Sequence, residues 1–159
     1  TYYRVKEKFY YLVFMIDVYS RRIVGYAVSK TQEAEGNIKA LRKLLHIRQG
    51  YLLNEMIHHS DRGSQYIDNE YRKLLNDNAI KISMCTQAWQ NAYTERINRT
   101  IKEEYLDQWD IQDYQTLSRN VGQAVRHYNT KRRHQSLGWN HQWNLKRKWK
   151  TCQKIRSQK

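Results

Sequence analysis

The chain has 159 residues, with 29 Lys and Arg against 15 Asp and Glu, giving a formal net charge of +14 at pH 7. That length suits one domain able to bury a core without disulfides or metals, and the basic excess, spread along the chain, points first to a polyanionic partner. Cys85 and Cys152 lie far apart with no C-x-x-C pair, which excludes a disulfide framework or a zinc site as the organising feature.

The chain opens on Thr1 rather than Met and has no proline, where average usage of about 5% predicts roughly eight. Both features are expected of a fragment or a diverged copy. Tyr2 to Val5 reads as part of a first strand. Phe9 to Val18 is apolar on both alternating faces, as a central strand covered on each side requires. Its longest apolar run, Tyr10 to Ile16, is too short to span a bilayer, and no signal peptide precedes it, so the expectation is a soluble cytoplasmic protein. Arg22 to Ser29, with Val24, Tyr26 and Val28 alternating, is the expected hairpin partner, joined through a tight Ser20-Arg21 connection.

Helical spacing from Gln32 to Gln49 predicts an amphipathic crossover helix, with Thr31 as candidate N-cap and Gly50 as the stop. A short strand over Glu55 to Ser60, a helix over Asp68 to Asn78 and a strand over Ala79 to Met84 follow, then an irregular stretch from Cys85 to Gln90. Two helices come next, Asn91 to about Asp107 and Tyr114 to about Asn129, the second with Leu117, Val121, Val125 and Tyr128 as its apolar stripe. The alternation of strands and helices implies an α/β fold with a mixed sheet. A boundary near residue 138 separates a core, 1–137, from a basic, Trp-rich tail, 138–159.

Two carboxylates stand out by context. Asp61 follows a strand and opens a turn, the usual place for ligands in α/β sheets, although turn and capping roles also favour Asp there. Glu95 lies in the first turn of the helix after the irregular stretch. If that helix packs beside the strand, the side chains converge and suit a hard divalent cation such as Mg²⁺, which recruits phosphate oxygens to complete its shell.

Three motifs sharpen this reading. They are Tyr10-Leu with Ile16-Asp-Val-Tyr-Ser-Arg-Arg-Ile-Val-Gly-Tyr26, His58-His-Ser-Asp-Arg-Gly-Ser-Gln-Tyr66 and Asn91-Ala-Tyr-Thr-Glu95. Together with Tyr128-Asn-Thr-Lys-Arg-Arg-His-Gln-Ser-Leu-Gly138, they resemble the orf B type transposases of bacterial insertion sequences, relatives of the retroviral integrases. The resemblance runs from Thr1 to about Gly138. It implies an RNase H-like fold with a mixed five-stranded sheet flanked by helices. It also implies that Asp61 and Glu95, with 33 residues between them, are the second and third members of a DDE set binding Mg²⁺ or Mn²⁺. The family's first Asp precedes a Thr-Tyr dipeptide by two residues, which puts its place before Thr1.

Asp17 is the tempting substitute. If Tyr2 to Val5 and Phe9 to Val18 pair through a turn at residues 6 and 7, the position two before Thr1 faces Val13 or Phe14. Asp17 then lies three or four residues away, roughly 10 Å along the strand, and a three-residue offset points to the other face. In the family this Asp belongs to the strand end.

Arg99 and Lys102, four and seven residues after Glu95, share its helical face and would meet a bound phosphate or simply solvate the helix. The cluster Lys131, Arg132, Arg133 suits phosphate contact; the family usually shows proline where Arg133 stands. Trp139, Trp143 and Trp149 would stack on bases or cover apolar surface, and Trp89 with Gln90 would close over DNA ends or anchor the core. His58 and His59 read as structural, because a hard-oxygen site does not need imidazole. The implied activity is metal-dependent phosphoryl transfer on DNA, by a homo-oligomer acting on element ends and target. The alternative is a catalytically inactive, DNA-binding transposase remnant.

Overall fold

The computed structural model describes residues 1–85 and 91–135. Five strands and five helices occur there in the order β1 (Tyr2–Val5), β2 (Lys8–Ile16), β3 (Ile23–Ser29), α1 (Ala34–Ile47), β4 (Ile57–Ser60), α2 (Ser64–Ile67), α3 (Asn69–Asp77), β5 (Lys81–Met84), α4 (Ala92–Glu104) and α5 (Tyr114–Thr130). A short 3-10 turn at Leu106–Gln108 joins α4 to α5.

The predicted five-stranded mixed sheet is present as two smaller sheets. β1, β2 and β3 form an antiparallel meander, and β4 pairs in parallel with β5. The physical reason lies in the length of β1, whose four residues cover only Lys8 to Tyr11 of its nine-residue partner. The turn between them places Lys6 at φ 53, the left-handed conformation that a two-residue hairpin of matching twist requires. At the other hairpin the connection is longer than the expected Ser20-Arg21 turn. Pairing stops at Ile16 and Ile23 after a register shift, and the Asp17 amide closes the loop onto the Arg22 carbonyl.

Both faces of β2 and β3 are covered. Leu12, Phe14, Ile23 and Val28 join Ile97, Ile101, Leu117, Val121, Val125 and Tyr128 of α4 and α5 in one cluster. Met15, Val24 and Ala27 meet Ile38, Ala40, Leu41 and Leu44 of α1, together with Tyr71 and Leu75 of α3, in a second. This is the pattern of a central sheet sandwiched by helices, and it explains why β2 is apolar in both phases. The buried Asn129 side chain ties α5 to β3 by accepting from the Ile23 amide at 2.9 Å and donating to the Ile23 carbonyl at 2.8 Å.

Helix boundaries differ from expectation where side chains find other partners. α1 starts at Ala34 behind Glu33, with no side-chain cap; the Thr31 hydroxyl donates to the Glu33 carboxylate at 3.3 Å instead. α3 starts at Asn69 behind Asp68, whose carboxylate caps it by accepting from the Tyr71 amide at 3.0 Å. Residues 86–90 and the tail 136–159, with Trp89, Gln90, Trp139, Trp143, Trp149 and the boundary near 138, lie outside the described residues. Among the described residues no helix is long and apolar enough to cross a membrane.

Candidate functional site

The end of β4 and the start of α4 meet at one groove. Ser60 and Thr94, each one residue before a carboxylate of interest, both line it. Asp61 is exposed, and its Oδ1 accepts the Gly63 amide at 3.0 Å, an Asx turn that fixes the carboxylate as the chain leaves the strand. Glu95 is exposed in the first turn of α4 and enters no ion pair among the described residues.

Two further observations place Asp61 beside the start of the meander. The Thr1 amine has its pKa lowered by burial and by the Lys102 charge, while the Asp61 charge opposes both. Tyr66 is pushed up to about 12 by burial and then by Asp61. The Asp61 charge is thus felt at both Thr1 and Tyr66, and the Lys102 charge at Thr1. Lys102 leans over the Tyr2 ring at 5.3 Å, and burial lowers its pKa against the pull of Asp107.

His58 and His59 are engaged elsewhere. His58 Nε2 meets the Tyr71 hydroxyl at 2.9 Å, its ring packs against Tyr66 and Tyr71, and His59 Nδ1 lies 3.0 Å from the Ser83 hydroxyl. Burial, and secondarily the charge of His59, lowers the pKa of His58 from 6.5 to about 4. The folded protein therefore holds His58 neutral where the unfolded chain would protonate it. Stability from this group is complete above pH 6.5 and is lost as pH falls toward 4. The expected result is that His58→Gln, though less stable at neutral pH, loses less stability than the parent between pH 7 and 4.5. The difference, read from urea unfolding midpoints, is on the order of 2 kcal/mol after allowance for partial exposure. Parallel pH profiles would show that His58 does not control this limb.

Asp17 has a local role. Its Oδ1 accepts the amides of Tyr19 at 3.0 Å and Ser20 at 3.3 Å, and its Oδ2 pairs with Arg48 from the end of α1. The β1/β2 register pairs residues whose numbers sum to 13, as in Tyr2 with Tyr11 and Val5 with Lys8. Thr1 and Leu12 continue it, exchanging both backbone bonds at 3.1 and 2.8 Å.

The basic candidates fall into two groups. Arg99, Lys131 and Arg133 are exposed. Arg132 is held by Glu104 through two bonds of 2.7 Å, which also depress the Glu104 carboxyl. That bidentate pair crosses 28 residues, and no sequence pattern announces it. A second feature outside the predicted set is Arg21, stacked 4.2 Å over the Tyr93 ring two residues before Glu95. Among the described residues no cluster of three or more His, Cys, Asp or Glu is arranged to hold a metal. Asp61 and Glu95 supply two hard oxygen ligands, a number that suits Mg²⁺ when waters and substrate phosphates complete the shell.

Comparison with known proteins bears on the family and the fold. Residues 1–88 match the family described as Integrase core domain, and residues 77–141 match a second family with the same description. An uncharacterized 31 kDa protein of insertion element IS600 from Shigella sonnei is 33% identical over 141 residues, covering 87% of this chain and 51% of the relative. The transposase for insertion sequence element IS904 from Lactococcus lactis is 30% identical, covering 87% and 55%. The chain thus spans about half the length of these curated relatives. Among solved structures, the HTLV-2 integrase catalytic core domain in complex with magnesium aligns with a TM-score of 0.72 at 18% identity, covering 91% of this chain and 89% of that one. The BIV integrase core gives 0.68 at 13%, covering 96% and 94%. These likenesses show the α/β fold of the retroviral integrase cores.

Proposed function

Since this chain belongs to the integrase core domain family, we propose that it forms the catalytic core of an insertion-sequence transposase and carries two of the three metal-binding carboxylates, Asp61 and Glu95. The observation that supports the reading is that Ser60 and Thr94, the residues just before them in the chain, line one groove. A DDE core places its first Asp two residues before the Thr-Tyr pair. By the β1/β2 register that position would face Phe14.

Asp61 and Glu95 would hold Mg²⁺ or Mn²⁺. The metal, when bound, supplies charge neutralisation at the attacking and departing oxygens of a phosphodiester. The chain's own residues hold the DNA end in line. Asp61 keeps one oxygen on the Gly63 amide and presents the other. Arg99, Lys131 and Arg133 contact phosphates regardless of base sequence. Lys102 approaches the end from beside Tyr2, and Arg132 steadies the segment after α5 through Glu104. The parent protein would act in the cytoplasm on nucleoid DNA, as a homo-oligomer holding two element ends and a target.

The test uses the parent-length chain and labelled element-end DNA with Mg²⁺. Joining of the freed 3′ end to target DNA is expected; binding without any cleavage would leave only the inactive, DNA-binding remnant. Salt dependence separates the basic residues. Arg99→Ala should reduce the slope of log affinity against log salt by about 1. If the slope is unchanged, Arg99 makes no phosphate contact.

A further inference from the structure

The first turn of α4, which carries Glu95, is anchored differently from the rest of the helix. Tyr93, Ile97 and Ile101 fall four residues apart on one face. Ile97 and Ile101 are buried in the core cluster shared with β2 and α5, whereas Tyr93 is 47% exposed. Asn91, just ahead of the turn, makes no side-chain cap bond. A helix start of this kind frays unless something outside the helix holds it. What meets it is the β2–β3 loop, from which the Arg21 guanidinium stacks 4.2 Å over the Tyr93 ring.

That loop is itself preset. Asp17 Oδ1 accepts the Tyr19 and Ser20 amides, a role that Asn could keep, and the Asp17 amide donates to the Arg22 carbonyl. Ser20 is buried, and Asn129 clamps both backbone groups of Ile23. Arg21 sits between these anchors at φ 60. A long side chain adopts this left-handed conformation at a cost and keeps it where its surroundings over-determine it. The Arg21 charge also reaches α5: burial raises the Tyr128 hydroxyl to about 12, and the charges of Arg132 and, less strongly, Arg21 oppose that rise.

We propose that Arg21 is a positioning residue for Glu95: by stacking on Tyr93 it locks the first turn of α4 to the β2–β3 loop and so fixes where the Glu95 carboxylate stands. The inference rests on the reading of Glu95 as a metal ligand. Residues two apart on a helix do not face the same way, so a cation held on Tyr93 steadies the turn without neutralising Glu95. Glu95 accordingly enters no ion pair among the described residues. The contact also brings no further carboxylate or imidazole to the site, so it restrains the ligand without competing for a metal.

Mn²⁺ binding to the DNA-free, parent-length protein, followed by electron paramagnetic resonance, tests it alongside the Mn²⁺ dependence of end joining. Asn tolerates a left-handed φ, so Arg21→Asn removes the guanidinium without adding strain to the loop. Arg21→Asn and Tyr93→Leu should each raise the half-saturating Mn²⁺ concentration roughly fivefold, the scale a partly buried cation–π contact transmits. Joining per folded molecule at saturating Mn²⁺ should stay within about twofold of the parent. Tyr93→Phe, which keeps the ring, should match the parent, and the double variant should bind no more weakly than either single one. A merely structural loss would lower the number of sites and the saturated rate while leaving the midpoint in place; that result, or unchanged midpoints, overturns the proposal. A shift in Tyr93→Leu without one in Arg21→Asn overturns it too, since the ring would then anchor the turn alone. Should Arg21→Asn fail to fold, the contrast between Tyr93→Leu and Tyr93→Phe still decides. Glu95→Gln separates this inference from the reading beneath it. If Glu95→Gln weakens Mn²⁺ binding more than about tenfold while Arg21→Asn leaves it unchanged, the metal-ligand reading stands and the positioning role falls. If Glu95→Gln binds Mn²⁺ as the parent does, both fall.

Discussion

Asp61→Asn and Glu95→Gln in the parent-length protein are expected to lower Mg²⁺-dependent strand transfer by roughly 10³-fold or more, which corresponds to about 4 kcal/mol of transition-state stabilisation. Both substitutions keep the shape of the side chain. Asn at position 61 can still accept the Gly63 amide that shapes the turn, and Glu95 is exposed and unpaired among the described residues, so neither change should disturb folding. What each removes is the negative charge that a hard cation requires. Asp17→Asn is the informative control. The ion pair with its half-buried partner Arg48 is lost, which should cost about 1 to 3 kcal/mol of stability, yet activity per folded molecule should change little. The measurement is single-turnover joining of a labelled DNA end, paired with urea unfolding of each variant. Equal activity in Asp61→Asn and the parent would end the assignment of Asp61. Loss of activity in folded Asp17→Asn would return that residue to the candidate site.

Much of this arrangement could be read before the fold, because it rests on short-range patterns. A run apolar in both phases located β2, and alternation located β3, within one or two residues, while the stripe Leu117, Val121, Val125, Tyr128 located α5, since each pattern lies within one element. The strand-end position of Asp61 and the helix-start position of Glu95 were legible for the same reason. The four residues of α2 show no period, and four are too few for one to emerge. The Arg132–Glu104 pair escaped because it joins residues 28 apart, and a basic run reads alike whether its members face a phosphate or a carboxylate. The separation into two sheets was likewise hidden. Hydrophobic pattern tells which face of a strand is buried, whereas sheet membership depends on which edges are paired, and the edge bonds are backbone bonds common to every residue type. Asp17 shows the converse: its residue type fits a metal ligand, and only its bonds to Tyr19, Ser20 and Arg48 reveal another occupation.

The largest stability effect expected of a small substitution is at Gly25. This residue sits in β3 where α1 crosses the sheet, and a Cβ built there would lie 2.4 Å from the Ala40 carbonyl oxygen and 3.2 Å from the Met15 sulfur. The first contact is with backbone, so no rotamer change relieves it. The helix must move off the strand, and with it Ile38, Leu41 and Leu44, which pack on Met15 and Val24 in the second core cluster. Overpacking of this sort costs typically 1 to 3 kcal/mol, and the rigid backbone neighbour puts Gly25→Ala near the top of that range, about 3 kcal/mol, a large share of the 5 to 15 kcal/mol that holds an ordinary domain together. Two companions make the cause identifiable. Gly50→Ala replaces a glycine at φ 82 with nothing within 4 Å of the new methyl, so it should cost only about 1 kcal/mol of backbone strain. Ala40→Gly added to Gly25→Ala removes a methyl but leaves the carbonyl in place, so it should not rescue the loss. Urea midpoints of the three variants read the order directly. A Gly25→Ala protein within 0.5 kcal/mol of the parent, or one restored by Ala40→Gly, would mean that α1 does not rest on β3 through this close backbone approach.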